Sequence, residues 1–266
     1  MSAFTATAEH VQQFHADGYV MIRSLFSNDE IDLVSKIARA DHALEGQARN
    51  AKDAGGRESR ISLANTLDDG VYSTIVQCRR VADTMEALLG DEVYHYHHKM
   101  MMKQPKVGGA WEWHQDYGYW YNNDCLYPDM ASCFIAVDRA TKENGCLQVL
   151  KASHRCGRID HGRTGSQTGA DLRRVEALIE RLDVVYCQMQ PGDALFFHSN
   201  TLHRSDANDS DHPRWTFICC YNTKHNDPFT PQRPNAHPNY APLPRVDDAD
   251  VLKVAQAQWS QLQATV

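Results

Sequence analysis

The sequence predicts a mainly β protein with flanking helices: a sandwich or barrel, with a jelly roll among the usual solutions, preceded by a helix-rich stretch. Helical periodicity dominates residues 1–90. From Glu92 onward the chain breaks into about seven short runs rich in Val, Ile, Phe, Tyr and Cys, separated by Gly, Asn, Asp and Pro. The length, 266 residues, suits one large domain with a substantial core, read as a jelly-roll core over 91–225 with the helix-rich 1–90 packed on it.

Residues 7–18 carry an amphipathic helix pattern that stops at Asp17-Gly18, and YVMIRSLF after it reads as a strand. Ser27 with Glu30 three residues later is a capping-box signature. Ile31, Leu33, Val34, Ile37 and Ala38 then follow at helical spacing, which predicts a second helix. Residues 47–70 are polar and glycine-containing and read as a surface loop, whereas 71–89 return to helical periodicity. The β runs are VYHYHHKMMMKQ, AWEWHQDYGYW, MASCFIAVDRA, CLQVL, VVYCQM, DALFFHSN and RWTFICCYN. Asn144-Gly145 reads as a turn whose Asn could also reach a metal site. Residues of about 155–182 are glycine-containing and then helical (LRRVEALIERL), an inserted loop and helix of the kind that serves as a lid. Residues 226–266 read as a C-terminal tail.

Composition excludes several function classes. With 42% hydrophobic and 23% charged residues the chain is ordinary for a globular protein, and no apolar run approaches the roughly 20 residues of a membrane span, so no membrane partner is expected. The segment MSAFTATAEHVQQF lacks the basic-then-apolar pattern of a secretory signal, which predicts a cytoplasmic address. A net charge of -7 without a basic stripe argues against a nucleic-acid partner. The eight cysteines sit mostly in apolar runs and read as reduced core thiols. No Cys-x-x-Cys occurs, so a metal here would be bound through nitrogen and oxygen. Oligomeric state is not legible.

The chemistry concentrates in the β half. His114 and Asp116 end an aromatic run, and alternation along a strand sends residues i and i+2 to one face, where both can grip one ion. DALFFHSNTLHRS offers two candidates for a third ligand, His198 and His203. His203 is preferred because Ser205 lies two residues on and Arg214 eleven on, where RWTFICCYN forms the next strand and an antiparallel neighbour can bring an arginine beside the metal. His198, inside the apolar run, reads as structural. Two imidazoles and one carboxylate leave three positions open on an iron, which oxygen-activating iron(II) chemistry requires. Two of these suit the carboxylate and keto oxygens of 2-oxoglutarate, whose far carboxylate then needs a buried cation; Arg214 supplies it, helped by the Ser205 hydroxyl.

The chain resembles the phytanoyl-CoA dioxygenase family of iron(II) and 2-oxoglutarate oxygenases, a group that includes ectoine hydroxylase-like enzymes. The likeness runs almost end to end, through FHADGYVMIRSLFSNDEID, WHQDYGYW, ATKENGCLQVLKASH and HRSDANDSDHPR. It implies a double-stranded β-helix, a cupin-like jelly roll, with iron(II), 2-oxoglutarate and O2 as cofactor and co-substrates. It also implies the metal histidine, serine and co-substrate arginine at His203, Ser205 and Arg214. Trp120 matches an aromatic that lines the active site in the ectoine hydroxylase-like branch, and His97, Lys99 and Met101 lie on the strand where that branch contacts co-substrate and substrate. Halogenating relatives carry Gly or Ala in place of the metal carboxylate, so Asp116 implies hydroxylation of an unactivated C-H, with release of succinate and CO2.

The substrate is less legible. Tyr117, Tyr119, Trp120 and Tyr121 follow the metal motif and read as core or pocket lining. Arg158 and His161, with Arg155 and Arg163, fall in the predicted lid, where they could recognise an anionic group of a small-molecule substrate. An acidic chain with no basic groove favours a small polar metabolite over an acyl-CoA. Two alternatives stand beside the oxygenase: a non-catalytic jelly-roll sensor of metal and 2-oxoglutarate, and a zinc hydrolase.

Overall fold

The structure is a computed structural model that describes residues 4–164, 167–230 and 237–264, so parts of the predicted lid and tail lie outside the described residues. In chain order the elements begin with α1 (Ala8–Asp17), β1 (Tyr19–Ile22), α2 (Asn28–Ala40), α3 (His42–Gln47), β2 (Arg49–Lys52), β3 (Glu58–Ala64), α4 (Val71–Gln77) and α5 (Arg79–Leu89). They continue with β4 (Val93–Lys103), β5 (Trp111–His114), α6 (Asp116–Trp120), β6 (Met130–Ala136), β7 (Leu147–Leu150), β8 (His161–Thr164), β9 (Gln167–Ala170) and α7 (Leu172–Ile179). The chain closes with β10 (Val184–Cys187), β11 (Ala194–His198), β12 (His203–Ser205), β13 (Arg214–Thr223) and α8 (Asp248–Ala264). The strands form a seven-stranded sheet in the order β1-β11-β6-β13-β4-β3-β2, a four-stranded sheet β10-β7-β12-β5, and the hairpin β8-β9. All ladder pairs are antiparallel. This is the expected jelly roll with flanking helices.

Strand alternation divides the large sheet into two faces, and each face has its own core. On β13, Trp215, Phe217, Cys219 and Tyr221 join the helix-side core with Met100 and Met102 of β4, while Ile218 and Cys220 join the core between the sheets with Met101. Ile31, Val34 and Ile37 are buried against the helix-side core, at about 1.5–3 kcal/mol for each such side chain. The Ser27–Glu30 capping box forms as read, but a cap is worth only about 1 kcal/mol. Packing therefore holds α2, and the cap sets where it starts. Glu30 also pairs with Arg80 of α5 at 2.5 Å, with the guanidinium over the Phe26 ring, which ties the two helices.

Several elements differ from the sequence reading. Residues 47–70 are not a surface loop: β2 and β3 form a hairpin on the edge of the large sheet, with β3 paired to β4. Its turn is built by Asp53, whose carboxylate accepts from the backbone N–H groups of Arg57 and Ala110. Edge strands tolerate polar residues, so their sequence lacks the apolar alternation that reveals a strand. The helix read over 71–89 breaks at Cys78, whose extended backbone separates α4 from α5. The strand read at YVMIRSLF ends at Ile22. The stretch read as a tail carries α8, which buries Val251 and Ala255 in the helix-side core. In place of a plain loop the insertion folds as the β8-β9 hairpin before α7, over a small core that includes Trp113, Leu150 and Val175.

Buried histidines outside the cavity make the fold acid-sensitive. Burial pushes His95 and His198 down to about 3 and His98 down to about 4. Below the ordinary histidine value of about 6.5 the unfolded chain binds these protons and the folded chain does not, so their contribution is present above that value and is lost as pH falls toward 4. The melting temperature of the metal-free protein is expected to drop on the order of 10 °C between pH 7 and pH 5, with a shallower slope in His198→Gln. A flat profile over that range would contradict this.

Candidate active site

Strand register builds the first half of the site. His114 of β5 and His203 of β12 are directly paired across the ladder, and their rings lie 4.0 Å apart between centroids. Asp116 does not continue the strand; it opens the short helix α6 after one extended residue, Gln115. The turn still delivers its Oδ1 to 3.9 Å from Nε2 of both histidines, too far for a hydrogen bond and close enough to meet on one ion. Among the described residues this trio is the group of side chains able to hold a metal, and all three are buried.

Partners behind the trio set its protonation. His114 Nδ1 donates to the Glu112 carbonyl at 2.7 Å and His203 Nδ1 to the Thr201 carbonyl at 2.9 Å, which leaves both Nε2 lone pairs facing Asp116. Burial, and repulsion between the two rings, pushes His114 well below the usual imidazole range; burial likewise lowers His203. Burial alone would raise the Asp116 carboxyl, yet Lys99, His203 and His114 hold it below the usual range. Ser132 of the facing sheet donates to Asp116 Oδ2 at 2.8 Å and leaves Oδ1 free. Neutral imidazoles and an ionised carboxylate on one face are a donor set that fits iron(II) with positions to spare.

The trio lies in the wall of a cavity of about 330 Å³ between the two sheets, lined in part by His97, Lys99, Met101, Trp120, Phe134 and Ser205. Arg214 is not among the lining residues but touches one of them, Met101. It comes from β13 in the facing sheet, and not from a neighbour of β12 in its own sheet as the sequence reading had it, because the sandwich folds the next strand across the gap. Its guanidinium is wholly buried, with Nη1 3.2 Å from the Thr216 hydroxyl and 3.9 Å from Met101 Sδ, while Nε and Nη2 have no hydrogen-bond partner. Among the described residues it makes no ion pair, and burial lowers its pKa to about 10. Lys103, also wholly buried and paired with Arg214 in the ladder, donates to Ser205 Oγ at 2.8 Å. Burial and then the charge of Arg214 push the Lys103 amine well down. Arg214 and Lys103 share this end, and among the described residues Lys103 also makes no ion pair.

Other predicted residues fall elsewhere. His198 lies against Phe14 and His154 and accepts from Asn200 N–H, away from the trio. Tyr117 is buried and donates to the Cys125 carbonyl; Tyr121 is half-exposed under the Arg158 guanidinium, and Arg158 pairs with Asp160. None of these three lines the cavity. His161 also stays out, because both ring nitrogens are spent: Nδ1 donates to the Ile159 carbonyl, and Nε2 accepts from Gln115 N–H between the two ligands. Its ring lies where a Cβ on residue 118 would stand, so Gly118 is required there. Asn144 is spent inside its own turn on Thr141 and Arg139, while Gly145, at φ 74°, packs on the Asp206 carbonyl. The sequence reading missed Gln115, Ser132, Lys103 and His237. Lys103 had a signal, since it shares strand parity with His97, Lys99 and Met101. Ser132 and His237 had none, because they reach the site from distant segments.

All eight cysteines are free, seven of them buried. Among the described residues no helix is long and apolar enough to cross a membrane. Residues 14–216 match the phytanoyl-CoA dioxygenase family. The chain is 33% identical over 243 residues to the L-proline trans-4-hydroxylase of Streptomyces griseoviridis, covering 84% of this chain and 88% of that one. It is 27% identical over 246 residues to the ectoine dioxygenase of Stutzerimonas stutzeri, covering 85% and 81%. The crystal structure of EctD from S. alaskensis with 2-oxoglutarate and 5-hydroxyectoine superposes with a TM-score of 0.76 at 25% identity, over 91% of this chain and 88% of that one. These relatives are catalysts, so the sensor reading is not favoured. The chain belongs to the phytanoyl-CoA dioxygenase family and is a 2-oxoglutarate-dependent, non-haem iron oxygenase acting on a small molecule.

Proposed function

We propose that His114, Asp116 and His203 hold the iron(II), and that Arg214 and Ser205 hold the far carboxylate of 2-oxoglutarate. The observation that carries this is the wholly buried Arg214 guanidinium, on the sheet that faces the two histidine strands, which has two unpartnered nitrogens and no ion pair among the described residues. A buried, unpaired charge is costly, and a dicarboxylate that reaches from the ion to Arg214 relieves it. When bound, iron supplies the activation of oxygen that oxidises an unactivated C-H, coupled to decarboxylation of 2-oxoglutarate to succinate. The chain's own residues orient the ligands, keep both imidazoles neutral and seat the two organic molecules in one partly closed cavity. Its modest volume supports a small polar metabolite over an acyl-CoA, as do the substrates named in its relatives. Buried, unpaired cysteines support a reducing, cytoplasmic setting, and the common cores support a single domain over the described residues.

The test is succinate release from 2-oxoglutarate, dependent on iron(II) and oxygen. No release under any substrate would overturn the assignment, and activity with zinc in the absence of oxygen would replace it with a hydrolase. Lys103 gives a finer check. Lys103 Nζ donates to Ser205 Oγ, which leaves the serine its own proton for the carboxylate. Lys103→Met is expected to raise the KM for 2-oxoglutarate about 10-fold, roughly one hydrogen bond, with iron content unchanged. An unchanged KM would remove Lys103 from this role.

A further inference from the structure

The cavity end toward Trp120 holds a second set of unmet polar groups. β4 and β13 slip register between Cys220 and Tyr221, where His97 and His95 are the ladder partners and Tyr96 has none. This bulge turns two consecutive side chains inward: Tyr96 joins the core between the sheets and His97 lines the cavity. His97 is 2% exposed, and neither of its ring nitrogens has a hydrogen-bond partner. His237, from the chain beyond β13, stacks on Tyr96 at 4.4 Å between centroids and lies 5.0 Å from His97. Its Nδ1 is likewise buried without a partner. Its ring also bonds to the Tyr96 backbone, and burial lowers it to about 4, so it is neutral and presents Nδ1 as an acceptor.

Lys99 stands on the same face of β4. Among the described residues it makes no hydrogen bond or ion pair, and the carboxylate it feels is Asp116, which would be engaged by an iron held in the trio. Asp116 is also the sole carboxylate among the described lining residues. Trp120 closes the corner edge-on to both Tyr96 and His97, at 5.4 and 5.7 Å. Buried polar atoms left unpaired cost about 1–3 kcal/mol each, so three imidazole nitrogens in one corner call for a ligand that brings both a donor and acceptors.

We propose that this corner binds the head group of a zwitterionic amino or imino acid, the substrate. Its carboxylate accepts from Lys99 and from the N–H of His97, and its ammonium donates to Nδ1 of His237. A simple amine would leave Lys99 without an anion, and a simple acid would leave His237 without a donor. The inference rests on the iron and 2-oxoglutarate reading above and deepens it by naming the substrate class.

The experiment is a panel of amino and imino acids, each beside its methyl ester and its decarboxylated amine. It is scored by succinate release, by gain of one oxygen in the product, and by anaerobic titration calorimetry. At least one acid is expected to be hydroxylated, with its ester and amine poorer by about 100-fold or more in kcat/KM. His237→Ala is expected to raise the KM of that acid about 10- to 100-fold and weaken its calorimetric binding to match, with the KM for 2-oxoglutarate unchanged. His237→Gln, whose side-chain carbonyl restores an acceptor, should recover part of the loss, and Lys99→Met should raise the substrate KM more than that for 2-oxoglutarate. Iron-dependent succinate release that no acid stimulates, or esters that serve as well as acids, would overturn this inference alone. Absence of any iron-dependent release would overturn the reading beneath it as well.

Discussion

His114→Ala is expected to abolish iron loading and to lower 2-oxoglutarate turnover by about three orders of magnitude or more. The substitution removes one of two neutral Nε2 donors that the β5–β12 register holds against Asp116. A metal ion contributes several kcal/mol to the reaction it activates, and each 1.36 kcal/mol is tenfold in rate. Iron per chain after anaerobic reconstitution, measured beside succinate release, separates this from unfolding. The metal-free variant should melt close to the wild type, because the lost ring borders an existing cavity and its crowding against His203 disappears. His198→Gln is the control and should keep both iron and turnover. A His114→Ala protein that retains full iron and full turnover would place the metal elsewhere.

Arg214→Met should raise the KM for 2-oxoglutarate about 100-fold or more while leaving iron content intact, since the proposed pairing would lose two charge-assisted hydrogen bonds at roughly 1.5–3 kcal/mol each. The same change is expected to stabilise the ligand-free protein. The wild type buries a guanidinium with Nε and Nη2 unpartnered, and replacing a poorly compensated buried charge with an apolar side chain of similar volume often gains on the order of 1–4 kcal/mol. A higher melting temperature without ligand, together with a smaller rise on adding 2-oxoglutarate, is the paired signature. Arg214→Lys should not restore affinity, because an ammonium cannot reproduce the planar fork. An unchanged KM in Arg214→Met would assign the far carboxylate to Lys103 or another cation.

The sequence by itself determined the elements with strong local signals. The capping box at Ser27, the run of β segments after Glu92, and the spacing of His114, Asp116, His203, Ser205 and Arg214 were all readable, because period-2 and period-3.6 patterns and short motifs are local properties of the chain. Only the tertiary structure decided what depends on distant segments. β2 and β3 are strands because β4 offers them an edge, although their own alternation is weak. Arg214 approaches the cavity from the facing sheet, and Ser132 orients Asp116 from that same sheet. His161, which sequence placed with the substrate, is consumed in holding the Gln115 peptide between the two ligands, so the inserted segment supports the metal turn. The corner formed by His97, Lys99 and His237 arises from a bulge in β4 meeting a segment well over a hundred residues away, a juxtaposition that long-range packing creates and that no periodicity records.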